Sequence, residues 1–95
     1  MSYKLFVPDE IVLFIRGLHP LIKKRVKSAL KEICMDPYCG KTLKDEFDGL
    51  HSFRIKRFRI IYQIFSRNRI GIVAIGPRKY IYEETYRLIS STKDV

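Results

Sequence analysis

Residues 51–82 read HSFRIKRFRIIYQIFSRNRIGIVAIGPRKYIY, and the fold is decided by how this stretch is paired. It contains Arg54, Lys56, Arg57, Arg59, Arg67, Arg69, Arg78 and Lys79 and no Asp or Glu. Phe, Ile, Tyr and Val alternate between the cations, the composition of β-strands. A two-residue turn at Lys56-Arg57 predicts a hairpin in which Ile55 faces Phe58, Arg54 faces Arg59 and Phe53 faces Ile60. A second turn at Arg67-Asn68 predicts that Tyr62 faces Val73, Ile60 faces Ile75 and Arg59 faces Gly76, with Arg78 on the diagonal. Alternation then gathers Phe53, Ile55, Phe58, Ile60, Tyr62, Ile64, Val73 and Ile75 on one face. The other face carries Arg54, Arg59 and Arg78 at one end, with Ile61, Ile72 and Ala74 beyond. Like charges directly opposite on a sheet cost a few tenths to about 1 kcal/mol, so the cluster adds nothing to the fold by itself. A bound phosphate would offset the repulsion, and Gly76 leaves space for one beside Arg59.

Upstream, YKLFV at Tyr3–Val7 is a short strand stopped by Pro8. Asp9 is placed to cap a helix through EIVLFIRGL, with Glu10 in its first turn. Residues Ile11 to Ile15 are apolar on all sides, so this helix is expected to be buried or covered by a partner. Its β-branched residues also permit an extended reading. Pro20–Met35 is the clearest helix: Ile22, Val26, Ala29, Leu30 and Ile33 recur at helical spacing, and Lys23, Lys24, Lys27 and Lys31 take the other side. Asp36-Pro37 ends it. Residues 38–50 read as a connecting loop. The tail YIYEETYRLISS from Tyr80 suits a short helix, with Tyr82, Tyr86 and Ile89 on one stripe.

These elements predict one α+β domain over residues 1–95. Its N-terminal strand and helical hairpin pack on an antiparallel sheet of three to four strands, followed by a short C-terminal helix. A chain of 95 residues, 46% hydrophobic and 31% charged, can form one core. The net charge of +9 favours nucleic acid, an acidic protein or an anionic membrane as partner. No apolar run approaches the ~20 residues that span a bilayer, and MSYKLFVPDE is not a signal peptide, so a cytoplasmic location and no membrane partner are expected. Cys34 and Cys39 are expected to stay reduced. With His19 and His51 they lack the spacing of a metal site, and no metal or other cofactor is expected.

The order strand, helix, helix, three strands and tail, with LHSFRIKRFRIIYQI and IGPRKYIYEE, resembles the RelE/ParE superfamily of bacterial and archaeal toxins. The resemblance covers almost the whole chain and implies a RelE-like fold. Its RelE-like branch implies a ribosome-dependent endoribonuclease that cleaves mRNA and is silenced by a cognate antitoxin. In that chemistry the RNA 2′-hydroxyl attacks the adjacent phosphate without a metal. By matching position, Arg54 corresponds to a basic residue that helps activate the 2′-hydroxyl, and Arg59 to the arginine that stabilises charge on the phosphate. Arg78 corresponds to the arginine near the leaving group, and Tyr82 to a tyrosine that orients the nucleophile or shares in proton transfer. Lys44, His51, Lys56, Arg57 and Lys79 are the expected RNA-binding residues. Fixed guanidiniums suit this chemistry because they offer planar donors to phosphate and stay charged. For the same reason arginine is a poor general base.

Three features depart from the family pattern. The turn is Lys56-Arg57 where small residues are usual. Ser52 stands where some nucleases carry a basic residue, which shifts that role to His51 or Lys56 or leaves it empty. The spacing from Arg78 to Tyr82 is short, which makes Tyr80 and Tyr86 rivals for the aromatic role. Structural explanations also exist: a solvated sheet end that docks antitoxin carboxylates, a packed Tyr82, an edge-strand His51, and lysines forming the wet face of the second helix. The same superfamily includes ParE-like toxins that inhibit DNA gyrase without chemistry of their own, and an inactive relative would only bind its antitoxin.

Overall fold

In the computed structural model, which describes residues 3–43 and 49–77, the chain runs β1 (Lys4–Phe6), α1 (Asp9–Arg16), α2 (Pro20–Met35), β2 (Lys41–Thr42), β3 (Leu50–Ile55), β4 (Phe58–Ser66) and β5 (Arg69–Pro77). The strands form a five-stranded sheet in the order β1-β5-β4-β3-β2. The helix expected from Tyr80 onward lies outside the described residues.

The ends of both helices follow from the residues that flank them. Pro8, at φ −56° and ψ 149°, is the N-cap of α1, so Asp9 is the first helical residue and its side chain caps nothing. The expected Asp9 cap is thus displaced by one position, because the proline ring already supplies the boundary conformation. Asp9 and Glu10 still place negative charge in the first turn, where the helix dipole favours it. His19 Nδ1 accepts a hydrogen bond from the Leu21 N–H at 3.2 Å, and Pro20 has no N–H to leave unsatisfied. Asp36 closes α2 in an extended conformation, and its Oδ1 accepts from the Tyr38 N–H at 3.1 Å.

The core forms where the two helices meet the sheet. Val26, Ala29 and Ile33 of α2 and Ile15 of α1 bury against Ile55, Ile60, Tyr62, Ile70 and Ile72. Fully burying one such aliphatic side chain contributes about 1.5–3 kcal/mol. Of the apolar run in α1 only Ile15 is buried, while Leu13 remains 64% exposed. A second, smaller cluster of Leu43, Leu50, Ile61 and Ala74, with Val73 packed against it, lies on the opposite face.

The register of β3 with β4 is the expected one, from Ile55↔Phe58 through Arg54↔Arg59 to Phe53↔Ile60. Against β5 the expected register holds for Arg59↔Gly76 and Ile60↔Ile75 and then breaks. Tyr62 faces Ile72, not Val73, because β5 carries an extra residue after Ile61↔Ala74. The regular register would have put Val73 and Gly71 in the core and left Ile72 and Ile70 outside. The bulge turns both isoleucines inward, at 2% and 0% exposure. Each added buried CH₂ is worth about 0.8 kcal/mol, so exchanging Val and Gly for two Ile outweighs one disrupted rung.

Two further differences extend the sheet. The stretch read as a connecting loop contains β2, which pairs with His51 and Ser52, and the Leu43 N–H donates to the Leu50 carbonyl. β1 joins the far edge parallel to β5, with Lys4 beside Arg69 and Phe6 beside Gly71. The sheet is therefore mixed.

Tyr62 ties the connection after α2 to this frame. Its hydroxyl donates to the Pro37 carbonyl at 2.7 Å and accepts from the Gly40 N–H at 3.2 Å. A Cβ on Gly40 would stand 2.5 Å from the Tyr62 hydroxyl and 2.9 Å from the Ser52 carbonyl. Gly40→Ala is expected to destabilise by about 1–3 kcal/mol, a fall in Tm of about 5–20 °C for a chain this size, read by thermal unfolding. An unchanged Tm would mean the connection is free to move aside.

Candidate functional site

The site is built on the β3–β4 hairpin. Lys56 opens its turn with φ 49°, the one positive φ outside glycine among the described residues. Left-handed backbone at this position is what tight hairpin turns require. Ile55 and Phe58 close the turn as a hydrogen-bonded pair, so Arg54 and Arg59 form the next, non-hydrogen-bonded pair. Side chains stand closer in that kind of pair. Buried Gly76 lies across from Arg59 on its other side.

The two guanidiniums part instead of converging. Arg54 is exposed and leans to the turn, its Nε donating to the Lys56 carbonyl at 3.5 Å. Arg59 is half-buried and leans back along the sheet, its Nη1 donating to Ser52 Oγ at 3.1 Å. Ser52 is 2% exposed. Divergence relieves the repulsion that the backbone register imposes, and it leaves two permanent positive charges on one sheet end. Such a pair can hold an anion and stabilise charge that develops on it.

Lys56 and Arg57 are exposed at the turn beside this pair. His51 is on the opposite face. Its ring stacks on Tyr62 at 5.3 Å and meets Tyr38 edge-on at 6.2 Å. His51 therefore stands on the other side of the sheet from the arginines, since strand alternation aims neighbouring residues to opposite sides. Arg78, Tyr82, Lys44 and Lys79, and the rival tyrosines Tyr80 and Tyr86, lie outside the described residues. Ser52 was missed as the seat of Arg59, although the hairpin register puts it on the same face, diagonally across. Alternation places Tyr62 on the apolar face and carries no sign of the bonds its hydroxyl makes.

Burial shifts several titratable groups beside the hairpin. Burial pushes the Tyr62 hydroxyl up to about 12, with Cys39 adding to the effect, and burial holds His51 below its ordinary value. The His51 Nδ1 is buried with no hydrogen-bond partner among the described residues. Burial also raises both thiols, Cys34 and Cys39, which are free. Among the described residues no group of three or more His, Cys, Asp or Glu is placed to hold a metal.

These shifts fix the pH dependence of stability. Below the ordinary histidine value of 6.5 the unfolded chain takes up a proton before His51 does, so that contribution is present above 6.5 and is lost as pH falls. Above the ordinary tyrosine value of 10.0 the unfolded chain loses a proton before Tyr62 does, so that contribution is lost as pH rises toward about 12. Urea midpoints measured across pH are expected to form a plateau with two falling limbs. Tyr62→Phe should make the alkaline limb shallower, leaving the share of the raised thiols Cys34 and Cys39, and leave the acidic one; a variant with an unchanged alkaline limb would contradict the assignment.

Comparison with known proteins places this geometry in context. The family model described as the ParE toxin of the type II toxin-antitoxin system, parDE, matches residues 9–82. No curated protein matches the chain. Among solved structures, the RelBE2 toxin-antitoxin complex of Mycobacterium tuberculosis is similar with a TM-score of 0.71 and 23% identity, over 82% of this chain and 100% of that one. A free variant of Escherichia coli RelE gives a TM-score of 0.75 at 17% identity, over 97% and 98% of the two chains. The RelE–RelB complex of Pyrococcus horikoshii gives 0.68 at 21%, over 82% and 97%. Among the described residues no helix is long and apolar enough to cross a membrane.

Proposed function

The chain belongs to the ParE toxin family of type II toxin-antitoxin systems, and within that frame we propose, from the arginines of its hairpin, that it is a ribosome-dependent endoribonuclease acting on mRNA in the cytoplasm. The observation that carries this reading is the Arg54–Arg59 cross-strand pair opposite Gly76. Two arginines on one sheet end offer planar donors of permanent charge, and an RNA phosphate is a ligand whose charge and oxygen geometry suit them. The RNA 2′-hydroxyl attacks the adjacent phosphorus, the P–O5′ bond breaks, and a cyclic phosphate and a free 5′-hydroxyl result. Arg59 stabilises the charge on the phosphate, Arg54 lies toward the attacking hydroxyl, and Arg78 and Tyr82 complete the centre. Lys44, Lys56, Arg57 and Lys79 track neighbouring phosphates. Proton transfer falls to Tyr82 or to ribosomal RNA. The fold is shared with toxins solved in complex with RelB antitoxins, which supports a protein antitoxin as the partner that silences this one.

The family model's description as ParE favours a second reading, a toxin that inhibits DNA gyrase without chemistry of its own. One paired assay separates the two: induce the toxin without its antitoxin, map 5′ ends on a reporter transcript with and without translation, and assay gyrase supercoiling in parallel. New 5′ ends on the translated transcript with supercoiling intact are expected. Blocked supercoiling on an uncut transcript would replace the nuclease reading with the gyrase one.

A further inference from the structure

Ile55, Lys56, Arg57 and Phe58 make the turn of the β3–β4 hairpin, and all of them line a cavity of about 550 Å³ whose other wall is the first turns of α2. That volume lies within the range of small-molecule sites. Its floor is apolar. Ile55 is buried, and Phe58 and Ile22 are half-buried and pack against the main core. Phe14 of α1 meets the Phe58 ring at 6.5 Å and 49°, a contact that restrains the ring. Leu21 lines the same cavity with 68% of its surface in water. An apolar side chain left that exposed gains from any flat apolar body laid against it.

The rim is cationic. Arg25, Lys56 and Arg57 are exposed and line the cavity, and no Asp or Glu does. Charges of one sign over low-dielectric walls focus a field that draws an anion. Lys56 also holds φ 49°, a conformation that glycine adopts without steric cost and lysine does not. The turn thus keeps a long cation at the cavity where glycine would relieve the backbone, an observed strain of the kind found at ligand clamps.

Floor and rim together specify the ligand. An inorganic anion would answer the rim and leave the floor wet, and a neutral apolar molecule would cover the floor and leave the cations unmet. We propose that the cavity between the β3–β4 turn and the first turns of α2 binds a small organic acid, a flat apolar body carrying one anionic group. The body lies against Phe58, Ile22 and Leu21. The anionic group meets the Arg25 guanidinium, whose planar fork matches its oxygens, and the turn cations Lys56 and Arg57. Arg54 and Arg59 alternate with Ile55 and Phe58 and so issue from the other face of the sheet. An occupant of the cavity therefore leaves the anion position between those arginines open. The inference stands whether the toxin cuts RNA or inhibits gyrase.

The test uses the full chain labelled with ¹⁵N and a small set of probes: 2-naphthoate, 2-naphthyl phosphate, the neutral 2-naphthylmethanol, and acetate. At least one of the naphthyl acids is expected to shift the amides of residues 21–25 and 55–58 saturably, and the tighter of them identifies the anionic group. The alcohol and acetate should each bind at least about tenfold more weakly, because each answers only half of the lining. Arg25→Glu and Leu21→Glu, both at exposed positions, should each weaken the better acid about tenfold or more by setting a carboxylate against it. The amides away from the cavity report that both variants keep the fold. Absent shifts, shifts confined to other surfaces, or undiminished binding to both variants would overturn the proposal. The alcohol or acetate binding as tightly as the acids would overturn it too, in favour of a simple apolar slot or a simple anion site.

Discussion

Arg59→Ala is expected to lower the rate of reporter-transcript cleavage by about 10²–10³-fold, the usual cost of removing one preorganised donor from a developing oxyanion. Growth arrest should disappear with it, and antitoxin binding should remain. The alanine also strands the Ser52 hydroxyl, which is buried and receives Arg59 Nη1, so some loss of stability accompanies the change. Two companions separate folding from chemistry. Arg59→Lys keeps the charge and loses the planar fork, and should fall between wild type and alanine. Ser52→Ala removes that one hydrogen bond and keeps the guanidinium, and should cost far less activity than Arg59→Ala. If all three folded and cleaved within about threefold of wild type, Arg59 would have no place in the transition state.

Tyr62→Ala is expected to be the most damaging single change to the fold. It empties the volume of the largest fully buried side chain among the described residues, at about 3–5 kcal/mol, in a domain whose total stability is about 5–15 kcal/mol. It also strands the Pro37 carbonyl and the Gly40 N–H. Tyr62→Phe isolates that second loss and should cost about 1–3 kcal/mol. Chemical denaturation of the three proteins gives both numbers. Near-equal midpoints for phenylalanine and wild type would mean that water replaces the hydroxyl, and the link between β4 and the connection after α2 would be weaker than its geometry suggests.

The parts of the fold that could be read in the sequence are those fixed by local rules. Two residues between two apolar runs leave a hairpin one register, so Arg54 was placed opposite Arg59 from the turn alone. Pro20 and Asp36-Pro37 bracket α2 because proline chemistry acts on the nearest bonds. The bulge in β5 was not legible: Ile72 and Val73 are equally strand-forming, and only the combined volume of the packed core prefers one inside. β2 escaped because Lys41 and Thr42 carry no apolar alternation. Ser52 as the partner of Arg59 was within reach of the register, and its small polar side chain gave no reason to look. The bonds from Tyr62 to Pro37 and Gly40 span more than twenty residues, and no periodicity reports contacts of that reach.

Parallel pairing of Lys4–Phe6 with Arg69–Gly71 also sets a timetable for synthesis. The nascent chain offers its first strand to the solvent long before the neighbour it needs has left the exit tunnel. Local hairpins and helices form early, whereas an edge joined across the length of the chain closes late. A ribosome making this toxin therefore carries an unfinished sheet until Arg69–Gly71 has emerged to meet the first strand.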